Sequence, residues 1–235
     1  MPSSNLMRSS QRIRPCYTSH VALTRRSIST ASRSSVHIGT SFEHLAALTL
    51  RRFAFSLTRV GGARDRGIDL IGTWSPPSQD EASQSQLQQS LQDVPTQKFP
   101  VVVQCKSISR TVPAWVRELE GAVAGAPTYL GDRVFGMLVG KGKITSGILE
   151  VMNSSSKGLI WAQLVDEKRL ETPYGRVEQM LWNRVVSEAV GDQLRPGIVY
   201  KAGKPRDVLV KESTLLWNGK PWEPHEIEKQ PQTPD

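Results

Sequence analysis

The chain has 235 residues, 38% hydrophobic and 22% charged, which is enough to build one domain of ordinary size without disulfides or metal to hold it together. Its two cysteines exclude a disulfide-stapled secreted module, because Cys16 falls in a leader expected to be removed and leaves Cys105 alone. The net charge of +8 is local: residues 1–35 carry six arginines, ten serines and no acid, and without them 24 basic residues face 22 acidic ones. The charge balance by itself is therefore no argument for a nucleic-acid surface, and no apolar run approaches the roughly 18–20 residues that span a bilayer.

Residues 1–35 have the composition of a mitochondrial presequence, Arg-rich, Ser-rich and acid-free, with scattered apolar residues and no hydrophobic core of a secretory signal. Arg26-Ser27-Ile28-Ser29 resembles a matrix-processing site, and the matrix is the expected address. The plainer alternative is a disordered basic tail. The body of the protein is expected over 36–190, with an extension over 191–235.

His37 to about Phe55 reads as a first helix, capped at Gly39-Thr40-Ser41, with Phe42, Leu45, Ala46, Thr49 and Phe53 at helical spacing. Leu57–Val60 and Gly67–Trp74 read as two strands joined by a Gly-rich turn. Residues 75–98 hold seven glutamines, five serines and three prolines, and are expected to form a disordered insertion. Phe99–Lys106 is a strand by its β-branched run, and Thr111 is the expected cap of a following helix. Arg133–Val139 reads as a strand, Thr145–Asn153 as a helix, Gly158–Val165 as a strand, and Tyr174–Val190 as a longer amphipathic helix with Val177, Leu181 and Val185 inward. The extension carries a hairpin signal at Asn218-Gly219. This order predicts an α/β fold, a mixed β-sheet flanked by helices.

Four positions carry chemistry: Glu43 on the first helix, Asp69 in the second strand, and Gln104 and Lys106 in the third. Gln104 and Lys106 are two apart in a strand, so both leave one face while Cys105 points to the other. A lysine at the end of a Val-rich strand needs a counter-charge, and Asp69 in the neighbouring strand is the expected source. A carboxylate, an amide oxygen and the main-chain carbonyl of the next residue (Asp69, Gln104 and Cys105) form a hard oxygen set suited to Mg²⁺, and a lysine beside it suits hydrolysis of a phosphodiester.

Taken together, Gly39-Thr40-Ser41-Phe42-Glu43, Gly62 to Leu70 and Val103-Gln104-Cys105-Lys106 resemble the PD-(D/E)XK nuclease superfamily, and within it the Mrr-like restriction endonucleases, whose last motif commonly carries Gln. With its leader, the chain resembles the fungal mitochondrial family named as required for respiratory growth. The resemblance covers about residues 37–165. It implies a restriction-endonuclease-like fold, Asp69 as metal ligand, Gln104 and Lys106 as the rest of the catalytic signature, Glu43 as the helix acid, and Mg²⁺ as cofactor. It also implies a nucleic-acid partner, mitochondrial DNA or RNA, in support of genome maintenance and respiratory growth.

The alternative is a catalytically inactive nucleic-acid-binding or assembly factor that keeps the fold. Each residue also has an ordinary reading. Glu43 suits the first turn of any helix, Asp65 suits a turn cap, Arg64 and Arg66 suit a solvated loop, and Cys105 suits a small buried hydrophobe. Glu118 and Glu120 read as the wet side of their helix. Gly140-Lys141-Gly142-Lys143 lacks the earlier glycine and the hydroxyl of a phosphate-binding loop.

Overall fold

The computed structural model describes residues 35–60, 67–77, 97–166, 174–202 and 208–222, all of them in one unit, Arg33–Asp235. Residues 1–34 of the leader, Arg64, Asp65 and Arg66 of the first turn, and residues 78–96 of the insertion lie outside the described residues. Among the described residues no helix is long and apolar enough to cross a membrane.

Helix α1 (Ser35–Leu50) opens the fold and buries Phe42, Ala46 and Leu50, one residue per turn. It starts earlier than the expected cap at Gly39-Thr40-Ser41, which sits inside it. The Thr40 hydroxyl accepts a hydrogen bond from Arg59, so its polar group is satisfied without ending the helix. A 3₁₀ turn, Arg51–Phe53, then delivers the chain to β1 (Phe55–Arg59).

β1 pairs antiparallel with β2 (Leu70–Trp74), and β2 with β3 (Phe99–Lys106). β3 then pairs parallel with β4 (Phe135–Gly140), and β4 with β5 (Leu159–Val165); helices α2 (Ala114–Ala124) and α3 (Ser146–Ser154) make the two crossovers. β6 (Arg176–Trp182) closes the six-stranded sheet antiparallel to β5. The result is the α/β architecture read from the sequence, a mixed sheet flanked by helices. Thr111 does not cap α2: its hydroxyl donates to the Lys143 carbonyl, and the helix begins after Pro113 without a side-chain cap.

The long helix expected over Tyr174–Val190 is instead β6 followed by a short helix, α4 (Arg184–Val190). A register shift in the β5–β6 pairing sets Gln163 opposite Gln179 but Leu164 opposite Val177, so Glu178 is an extra residue in β6. The shift turns both Val177 and Met180 inward, and this spacing of three imitates a helix. Asn183 supplies the real helix start, its side chain accepting from the Val186 amide.

Each face of the sheet has its own core. On one side, Phe42, Ala46 and Leu50 of α1 meet Val101 and Val103 of β3, Met137 of β4 and Val186 of α4. Trp74 lies fully buried there, stacked on Phe55, and donates its indole N–H to the Phe53 carbonyl. On the other side, α2 and α3 pack Trp115, Leu119, Ile148 and Met152 over Leu138 and Trp161, while Val102 meets Ala122 and Val123. Gly136 lets α2 lie close to the sheet, because a Cβ there would stand 2.6 Å from a Val123 methyl.

The extension forms a second, three-stranded antiparallel sheet from β7 (Leu194–Ala202), β8 (Leu209–Trp217) and β9 (Lys220–Trp222). Asn218 and Gly219, both with positive φ, make the turn between β8 and β9. Leu194 and Leu215 join the α1-side core, so this sheet shares the hydrophobic core of the body.

Candidate functional site

The end of β3 is where an apolar strand turns polar. Val101 to Val103 are fully buried, and Gln104, Cys105 and Lys106 follow. Alternation sends Val101, Val103 and Cys105 toward α1 and Val102, Gln104 and Lys106 toward α2.

Asp69 reaches this end from the residue before β2. Its amide donates to the Val103 carbonyl at 2.9 Å, its carbonyl accepts from the Val60 amide, and its Oδ2 accepts from the Cys105 amide at 2.6 Å. The carboxylate thus takes the place of a main-chain carbonyl and is fixed between Gln104 and Lys106 along β3. Gln104 is buried, and among the described residues its Oε1 has no hydrogen-bond partner. Gly67, in a left-handed conformation with φ of +77°, lies against the amide: a Cβ there would stand 3.1 Å from Gln104 Nε2.

Lys106 points to α2. Its Nζ is 2.9 Å from Glu118 Oε2 and 5.5 Å from the centre of the Trp115 ring. The counter-charge expected from the sequence is Asp69; the ion pair that Lys106 forms is with Glu118. Trp115 and Glu118 are three apart on α2 and so share a face of that helix, a spacing present in the sequence. Glu118 is half-exposed, as the wet side of a helix should be, and also binds Lys106.

Glu43 sits across the sheet from the Gln104–Lys106 pair. Its Oε2 is bound by Arg59 Nε, and Arg59 Nη2 reaches Thr40 on the turn before. The structure brings Asp69, Gln104 and Lys106 to one end of β3 and leaves Glu43 on the α1 side, beside Cys105. Both acids act on that cysteine: burial chiefly, then the charges of Asp69 and Glu43, push the Cys105 thiol well above its ordinary range. Cys105 is thus held as a neutral thiol, with neither nucleophilic nor thiolate-ligand character. Among the described residues no group of three or more His, Cys, Asp or Glu side chains is placed to hold a metal. Any cation at the end of β3 would depend on amide and main-chain oxygens beside one carboxylate.

Fold and site together define an α/β protein with a mixed sheet and a polar end to its third strand, where an anchored carboxylate meets a buried amide and a paired lysine. The chain belongs to the family described as Required for respiratory growth protein 7, whose model matches residues 34–190, well over half of the 235. It is similar to an uncharacterized mitochondrial protein of Schizosaccharomyces pombe, 29% identical over 195 residues that cover 83% of this chain and 68% of the relative. No solved structure matches.

Proposed function

We propose that this protein works in the mitochondrial matrix as a Mg²⁺-dependent phosphodiesterase of the PD-(D/E)XK kind, acting on mitochondrial nucleic acid in support of respiratory growth. The location is supported by the acid-free, Arg-rich leader and by the mitochondrial relative. The single observation that carries the chemistry is the Asp69 carboxylate held on the Cys105 amide beside a buried Gln104 oxygen without a partner. An orphaned buried carbonyl oxygen costs about 1–3 kcal/mol, a cost that a cation or its water would remove.

The donor set fits a hard divalent ion: Asp69, Gln104 Oε1 and the Cys105 main-chain carbonyl would hold it, and water would complete the shell. Bound there, Mg²⁺ would supply Lewis-acid activation of water and of the phosphoryl oxygen. Lys106 adds a fixed positive charge next to the phosphorus, where charge builds in the transition state. Hydrolysis adds the water oxygen to phosphorus, breaks one P–O ester bond and passes a proton to the departing oxygen. Glu43, tied to Arg59, contributes negative charge from behind Cys105 and no contact to the reacting atoms.

The test is cleavage of duplex DNA, single-stranded DNA and RNA by the purified protein with and without Mg²⁺. Asp69→Asn is expected to lose both metal binding and cleavage, and Lys106→Ala to keep metal binding and lose cleavage. Gln104→Glu is expected to tighten Mg²⁺. A wild-type protein no faster than Asp69→Asn on every substrate would overturn the reading. One observation favours an inactive nucleic-acid-binding or assembly factor instead: Lys106 and Glu43 are each already neutralised by a partner. That reading predicts binding to nucleic acid that Mg²⁺ and Asp69→Asn leave unchanged.

A further inference from the structure

Glu118 is the acidic group that faces Lys106 across 2.9 Å, and it comes from a different element, α2. Its side chain is 51% exposed and that of Lys106 24%, so the pair sits at the solvent boundary, where an ion pair adds little to folding stability. Yet the lysine is constrained twice, by the carboxylate and by the Trp115 ring below it. Gly136 is what permits α2 to come this near, since any Cβ there would collide with Val123. A lysine on a four-carbon stem otherwise samples many rotamers, and a charge that must meet a transition state works best when already in place.

We infer that Glu118 is a positioning residue for the proposed phosphodiester hydrolysis: it holds the Lys106 ammonium over Trp115, on the Gln104 face of β3, ready for the substrate phosphate. The inference rests on the function proposed above. Glu118 contacts Lys106 and none of the metal-holding atoms, so its loss acts on the chemical step and leaves metal affinity alone. The negative charge also offsets Lys106 in the free protein, so nucleic acid is not drawn to that lysine by charge alone.

The experiment compares wild type, Asp69→Asn, Glu118→Gln and Glu118→Asp in Mg²⁺-dependent cleavage of one short nucleic acid, with kcat, KM and the Mg²⁺ half-saturation measured separately. Thermal unfolding of each variant is the check on folding. Glu118→Gln is expected to lower kcat on the order of tenfold to a hundredfold with KM and Mg²⁺ half-saturation within about twofold of wild type. Glu118→Asp, which keeps the charge on a shorter stem, is expected to recover part of the loss. A Glu118→Gln protein as fast as an active wild type would overturn the positioning role and leave the phosphodiesterase reading standing; a faster one would mark Glu118 as a restraint and overturn it equally. A wild type no faster than Asp69→Asn would overturn the phosphodiesterase reading itself, and the positioning role with it.

Discussion

Two of the buried polar side chains, Glu212 on β8 and Gln104 on β3, are treated in opposite ways. Glu212 on β8 is almost fully buried, and both its oxygens are taken: Arg52 binds Oε1 at 2.7 Å and Lys201 binds Oε2 at 2.7 Å. Gln104 on β3 is equally buried, and its Oε1 has no partner among the described residues. A satisfied buried charge fastens the second sheet to the turn after α1. An unsatisfied buried amide does no such fastening, and its presence is easiest to understand where a ligand completes it.

This contrast can be broken by substitution. Glu212→Ala should destabilise the protein by about 1–2 kcal/mol, because it removes two charge-assisted hydrogen bonds whose cations, partly exposed, can turn to water instead. Chemical denaturation measures this, and a loss of only a few tenths would place the cluster in solvent. Gln104→Met, which keeps the volume and removes the orphaned oxygen, should stabilise the fold by about 1 kcal/mol while weakening Mg²⁺ binding. Destabilisation of similar size would mean that the oxygen has a structural partner.

The acid side sharpens the same point. At Glu212 burial pushes the carboxyl up, but hydrogen bonds and charge from Arg52 and Lys201 outweigh it and leave the pKa below the ordinary 4.5. A depressed folded-state pKa gives stability that is present above the unfolded value and lost as pH falls through the folded one. Unfolding free energy of the wild type should therefore drop below about pH 4.5 more steeply than that of Glu212→Gln. Parallel curves for the two proteins would contradict the paired state. The smallest effect concerns Cys105. Alkylation by iodoacetamide at pH 8 should be slow, and Asp69→Asn should speed it by removing one of the charges that keep the thiol protonated.

Much of the body was legible from sequence because its signals are local. The β-branched run from Phe99 to Lys106 has the bounds of β3, and Asn218-Gly219 makes the turn that its composition demands. The stretch from Tyr174 to Val190 misled because a bulged strand buries Val177 and Met180 at helical spacing. β7 and most of β8 are not legible because Lys201, Lys211 and Glu212 interrupt any apolar alternation, and Glu212 is satisfied by Lys201 on the neighbouring strand and by Arg52, far away in the chain. The site was legible along β3 and dark across it. Strand periodicity places Gln104 with Lys106, but which carboxylate meets the lysine depends on how α2 lies on the sheet, and that rests on tertiary packing such as Val123 against Gly136 and Trp115 in the core.

The bond from the Cys105 amide to Asp69 has a consequence for genetics. Since the carboxylate oxygen stands in for a main-chain acceptor, alleles at this codon divide into two kinds. Asparagine keeps an oxygen for the Cys105 amide and removes only the charge, so it gives a protein of normal abundance that lacks whatever the charge does. Alanine removes both, strands a backbone N–H at the end of β3 inside the sheet, and lowers abundance as well. A respiratory growth defect seen with alanine and absent with asparagine would belong to folding; one shared by both, at equal protein levels for asparagine, would belong to the site.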